Sequence, residues 1–181
     1  MEDINLVEYQ KTVEMYAKEG TNFLFHNQGN EHALIVFKSI FNNANKKICI
    51  AAASLDNREV ANNKEYIDAM KSYLEKENSK LLILLSNPVT DPSTLPLFVM
   101  IKEHKSYKEG RVAIKDGKGK NFHMNGRCVH FCVADNRMYR LESDIVNRTA
   151  ECNFGDDVRT KYLTDLFERA FENVNDIYNI G

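Results

Sequence analysis

Two short, uninterrupted apolar runs set the strongest limit on how this chain folds. Ile48–Ala53 reads ICIAAA and Leu81–Leu85 reads LLILL, with no polar residue in either. Successive side chains of a strand point to opposite faces, so a strand with one face in water alternates polar and apolar residues. A strand that is apolar at every position is covered on both faces. Both runs are far short of the roughly 20 residues a membrane-spanning helix needs. Between them, Asn57–Asn78 reads as a polar helix with Val60, Tyr66, Ile67, Met70 and Leu74 turned inward. Two buried strands bracketing a helix predict a right-handed βαβ unit.

The remaining segments extend this unit. Asn5–Lys18 carries Leu6, Tyr9, Val13, Tyr16 and Ala17 at helical spacing and stops at Gly20, so residues 1–20 read as a docking helix. His32–Ala44 predicts a second helix, with Leu34, Phe37, Ile40 and Phe41 on one stripe. A helix is expected over Leu95–Tyr107 and a third strand over Arg111–Gly117. Arg127–Ala134 and Met138–Ser143 then read as two antiparallel strands joined by Asp135-Asn136-Arg137. A short strand-like segment, Ala150–Phe154, precedes a final helix with Val158, Tyr162, Leu163, Leu166, Phe167, Ala170, Phe171 and Val174 on its apolar side. The expected fold is α/β, a mixed sheet flanked by helices on both faces, in a single domain over residues 1–181.

With 181 residues, 43% of them hydrophobic, the chain can build a core without a disulfide or metal staple. The four cysteines form no CxxC pair and the five histidines are scattered, so no metal and no other cofactor is expected. Free thiols, an acidic start and the lack of a long apolar run predict a cytoplasmic protein with no membrane span. A net charge of −2 argues against a surface that coats nucleic acid. Even so, Lys102–Arg127 holds eight basic residues against three acidic ones, either a patch facing an anion or a solvated helix with its loops. No phosphate-cradling glycine motif, nucleophile elbow or HExxH occurs.

Chemistry-bearing residues concentrate between 121 and 157. In the strand from Arg127, Cys128, His130 and Cys132 share one face while Val129, Phe131 and Val133 share the other. His130 reads as a nucleophile or phosphate contact, or as a hydrogen-bonded, half-buried histidine. Arg140 and Glu142, two apart, point the same way. They form a salt-bridged surface pair, or one linked to Arg148 and Glu151, or an anion-binding arginine oriented by its carboxylate. His123 sits in a loop beside Lys118 and Lys120.

NANKKICIAAASL and KLLILLSN resemble the first two strand segments of the phospholipase D-like superfamily, and the later strand pair stands where that family carries H-x-K-x4-D and G-S-x-N. With Asp135 as the family aspartate, the nucleophile position falls on Cys128, the lysine position on His130 and the Gly-Ser position on Glu142-Ser143. With His130 as the family histidine, Cys132 takes the lysine position and Asp135 comes two residues early. The resemblance implies metal-free phosphodiester chemistry by histidines and lysines, and a homodimer, since each chain carries one signature. The departures from it predict a catalytically degenerate module for binding, sensing or assembly, with His130, Cys128, Lys118, Lys120, Arg140, Glu142 and Ser143 facing a ligand that contains phosphate. The alternative is a metal-independent homodimeric phosphodiesterase or nuclease using His130, His123 and loop lysines. A third reading is nucleic-acid binding through the basic 102–127 segment.

Overall fold

The computed structural model describes residues 4–181; the first three positions of the expected 1–20 helix lie outside them. The elements run α1 (Ile4–Glu19), β1 (Phe25–Asn27), α2 (Gly29–Asn43), β2 (Lys47–Ala52), α3 (Lys64–Leu74), β3 (Lys80–Leu85), α4 (Pro96–Glu103), α5 (Lys105–Lys108), β4 (Val112–Asp116), β5 (Phe122–Met124), β6 (Arg127–Ala134), β7 (Met138–Asp144), β8 (Thr149–Asn153) and α6 (Asp157–Glu172). The strands lie in the order β1-β8-β7-β6-β2-β3-β4, with β5 paired to β6 outside this row. β2, β3 and β4 are parallel, and every other pairing is antiparallel.

The apolar runs behave as two-sided strands. Ile48, Ile50, Leu81, Ile83 and Leu85 enter one core, with Val13 and Ala17 of α1, Val36 and Ile40 of α2, Tyr66 and Met70 of α3, and Phe98 of α4. Cys49, Ala51, Leu82 and Leu84 enter the other, with Val129, Phe131 and Val133 of β6 and Leu163 and Phe167 of α6. The mixed sheet is thus covered by helices on both faces.

Several expected elements are shorter than their patterns. The helix expected from Asn57 begins only at Lys64, capped by Asn63. The Asn57 side chain accepts from the backbone N–H of Glu59 and Val60, and Asn62 donates to the carbonyls of Leu55 and Asn57. Asparagine competes in this way with helical hydrogen bonding. The helix expected over 95–107 breaks at His104, whose extended backbone and ring Nδ1 cap the next turn at the Ser106 N–H. In α2 the buried stripe is Ala33, Val36, Ile40 and Phe41 with Ile35, while Leu34 and Phe37 sit at its margin. Val158 and Tyr162, read as apolar-side residues of the last helix, are exposed.

Two devices close the sheet. Asp135, in the left-handed turn between β6 and β7, accepts from the backbone N–H groups of Asn45, Lys46 and Lys47, at 2.5, 2.8 and 2.9 Å, and so ties that turn to the entry of β2. On the far edge, the segment after α6 runs along β4. The Asp116 N–H donates to Asp176, Tyr178 donates to Ile114, and Lys115 bridges Ile177.

Candidate functional site

Antiparallel pairing places the early residues of β6 beside the carboxyl end of β2: Phe131 pairs with Ala51, and His130 lies one step beyond. Across β6–β7, His130 faces Glu142; across β7–β8, Glu142 faces Ala150; across β8–β1, Ala150 faces Asn27. Arg140 falls in the adjacent row, between Cys132 and Cys152. Cross-strand partners share a face. The pairing therefore gathers four polar side chains under α2 and α3, where the core would otherwise be apolar.

Three of them, His130, Arg140 and Glu142, border a cavity of about 230 Å³ at the carboxyl end of β2, walled also by Phe37, Ile50, the Ala51–Asn57 segment, Tyr66 and Arg148. Open α/β sheets bind ligands at this end of their strands. Arg140 and Glu142 are 3% and 2% exposed, His130 17% and Arg148 28%. Arg140 Nη2 donates to Glu142 Oε1 at 2.9 Å and its Nε to Asn27 Oδ1 at 3.0 Å, while the guanidinium lies 5.0 Å from the Phe37 ring centroid. His130 Nδ1 is 3.4 Å from Glu142 Oε2, and Arg148 Nη1 is 3.7 Å from Oε1. Arg148 occupies a left-handed backbone conformation, and its carbonyl accepts from Asn27 Nδ2 at 3.0 Å. Burial pushes the Glu142 carboxyl up, but His130, Arg140 and Arg148 outweigh it and hold the group below the ordinary carboxylate range. The Tyr66 hydroxyl is buried without a hydrogen-bond partner among the described residues.

The structure brings together three of the residues expected at a site and disperses the others. His130, Arg140 and Glu142 converge, but the arginine–glutamate pair is buried, not on the surface. Its link to Arg148 is present. Ser143 is exposed, since it follows Glu142 by one strand position. Cys128 is half-buried, and desolvation raises its thiol pKa, the reverse of an activated nucleophile. It pairs with His123 on β5, away from the cavity. His123 and Lys120 border a separate groove against α6. Lys118 lies 3.6 Å from Asp176. Lys120 and His130 also flank a narrow crevice between β3 and β5.

The basic 102–127 run does not form one free patch. Arg111 donates to the carbonyls of Leu74, Lys76 and Ser79, Lys115 to that of Phe171, and Lys105 pairs with Glu75. Asn27, Phe37 and Tyr66 belong to the site, although Phe37 and Tyr66 read only as core positions of their helices. Nothing in the sequence pairs Asn27 with a strand more than 120 residues away. Among the described residues no cluster of His, Cys, Asp or Glu has a metal-holding arrangement. No described helix is long and apolar enough to cross a membrane.

No protein-family model and no curated protein matches this sequence significantly. Solved structures do share its architecture. TrmBL2, an archaeal chromatin protein with a novel mode of DNA binding, superposes with TM-score 0.60 at 14% identity over 94% of this chain and 62% of its own length. Nuc from Salmonella typhimurium, a phospholipase D family member, gives 0.58 at 9% identity over 88% of this chain and 100% of its own. NucT from Helicobacter pylori gives 0.57 at 12% over 85% and 99%. At such identities the common property is the fold, and this chain is phospholipase D-like in fold.

Proposed function

We propose that this chain is a catalytically degenerate phospholipase D-like module that binds a small ligand in the cavity and does not hydrolyse it. The observation that carries the reading is the group facing His130: a buried carboxylate, Glu142, already engaged by Arg140. Attack on a phosphodiester needs an open anion site lined by donors to the equatorial oxygens, and removing one such donor typically costs about 10²–10³ in rate. Here the position opposite the histidine carries negative charge, and no lysine lines the cavity. The test is hydrolysis of bis-(p-nitrophenyl) phosphate and of labelled single- and double-stranded DNA in EDTA, comparing wild type with His130→Ala. No turnover by either protein is expected. Cleavage that survives chelation and disappears in His130→Ala would end this reading.

A second reading is favoured by the crevice that Lys120 and His130 share and by the likeness to a DNA-binding archaeal protein. In it, two copies of the chain form a homodimeric, metal-independent phosphodiesterase or nuclease acting on a phosphate-containing ligand, with Lys120 supplying the charge. Sedimentation as a monomer at micromolar concentration would count against it.

A further inference from the structure

We infer that Glu142 is a resident anion: its carboxylate fills an oxoanion-binding constellation made by His130, Arg140 and Arg148, so that the native cavity turns away phosphate and phosphate esters. This rests on the binding-module reading and narrows it, because the ligand group seated beside His130 must then be uncharged.

Three cationic or donor groups converge on one carboxylate from three separate elements of the chain: His130 on β6, Arg140 on β7 and Arg148 in the β7–β8 turn. Guanidinium, guanidinium and imidazole are the donor set that holds a phosphoryl group elsewhere in proteins. Arg140 is fixed in place by Asn27 and Phe37 independently of Glu142. Arg140 would therefore keep its position if the carboxylate were taken away. Arg148 and His130 engage Glu142 loosely, at 3.7 and 3.4 Å, and both side chains reach the cavity. A second negative charge brought to about 4 Å from the ionised carboxylate would lose on the order of a thousandfold in affinity per unit charge at the effective dielectric of such a site. The donors are thus present, but the chain supplies its own anion to them. Tyr66, which lines the same cavity, adds no charge to it, and its buried hydroxyl has no partner among the described residues.

The inference is tested by titrating inorganic phosphate, at constant ionic strength against chloride, into wild type, Glu142→Gln and Glu142→Gly. Heat of binding and thermal midpoint are both read. Wild type is expected to show no saturable phosphate binding at millimolar concentration. Each variant leaves Arg140 without its counter-charge and is expected to melt roughly 10 °C lower in chloride. Phosphate should restore much of that loss saturably, because a ligand that binds only the folded state stabilises it. The Glu142→Gly variant should respond most, having the most room. Saturable phosphate binding by wild type that His130→Ala abolishes would overturn the inference. So would variants that phosphate neither binds nor restabilises, whether they are folded or unfolded in chloride. Failure of the underlying reading is a separate observable: turnover of bis-(p-nitrophenyl) phosphate by wild type, which this titration does not measure.

Discussion

Arg140 and Glu142, two positions apart on β7, join through a 2.9 Å hydrogen bond with both side chains almost fully withdrawn from water. Desolvating two charges is expensive, and their attraction offsets it only where the remaining donors and acceptors are also satisfied. Asn27, Phe37, His130 and Arg148 complete that environment here.

The pair should therefore be strongly coupled. Arg140→Met and Glu142→Leu, each made alone, are expected to lower stability by about 3–5 kcal/mol, because each leaves an uncompensated buried charge. The double variant should regain most of the loss. Urea denaturation of the four proteins gives the coupling energy, and additive losses would refute the assignment.

Acid should weaken the same cluster. A carboxylate held below its ordinary value contributes stability that is complete above pH 4.5, the reference value for glutamate, and is lost as pH falls through the lower folded value. Wild type should consequently show a falling urea midpoint below pH 4.5. In Glu142→Gln this acid limb should be shallower, and identical limbs would show that Glu142 does not contribute to it.

Gly155 lies where the segment after β8 passes the end of α1. A Cβ built there would meet the Gly20 carbonyl oxygen at 2.3 Å and the Asn22 nitrogen at 2.7 Å, both backbone atoms that cannot swing aside. Gly155→Ala should cost about 3 kcal/mol, at the upper end of overpacking penalties. Gly110→Ala, in open space but at φ +75°, should cost only about 1 kcal/mol. Chemical denaturation separates the two.

Thiol reactivity should report the burial of the cysteines. Cys49, Cys132 and Cys152 are buried, and desolvation pushes the first and last up to about 12. Only Cys128 is partly exposed. With Ellman's reagent at neutral pH, one thiol is expected to react in the native protein and the other three only on denaturation. Loss of the early phase in Cys128→Ser would confirm which one it is.

The central strands were legible because burial on two faces is written in every residue of ICIAAA and LLILL. The helix expected from Asn57 does not form over 57–63 because Asn57 and Asn62 bind backbone groups that a helix would use, a competition that apolar periodicity does not register. At the site, His130, Arg140 and Glu142 were found because strand alternation fixes their common face. Cys128 shares that alternation, yet β6 is held in the main sheet by β2 only from Phe131 and by β7 only from His130. Before that point its partner is β5, and the strand has left the cavity behind. Asp135, which the sequence offers as a turn residue and as a candidate for the family aspartate, anchors the entry of β2 through three hydrogen bonds. Its partners lie some 90 residues earlier, beyond the reach of any local pattern.

The C-terminal segment on β4 bears on how copies of this protein meet. An unpaired strand edge is a template for another chain, and β4 would present one if Ile177 and Tyr178 did not lie along it. The opposite edge is β1, only three residues long. A sheet sealed on one side and nearly exhausted on the other cannot lengthen into a ribbon. Removing residues 175–181 would unseal it, and sedimentation would be expected to show edge-to-edge aggregates that the full chain does not form.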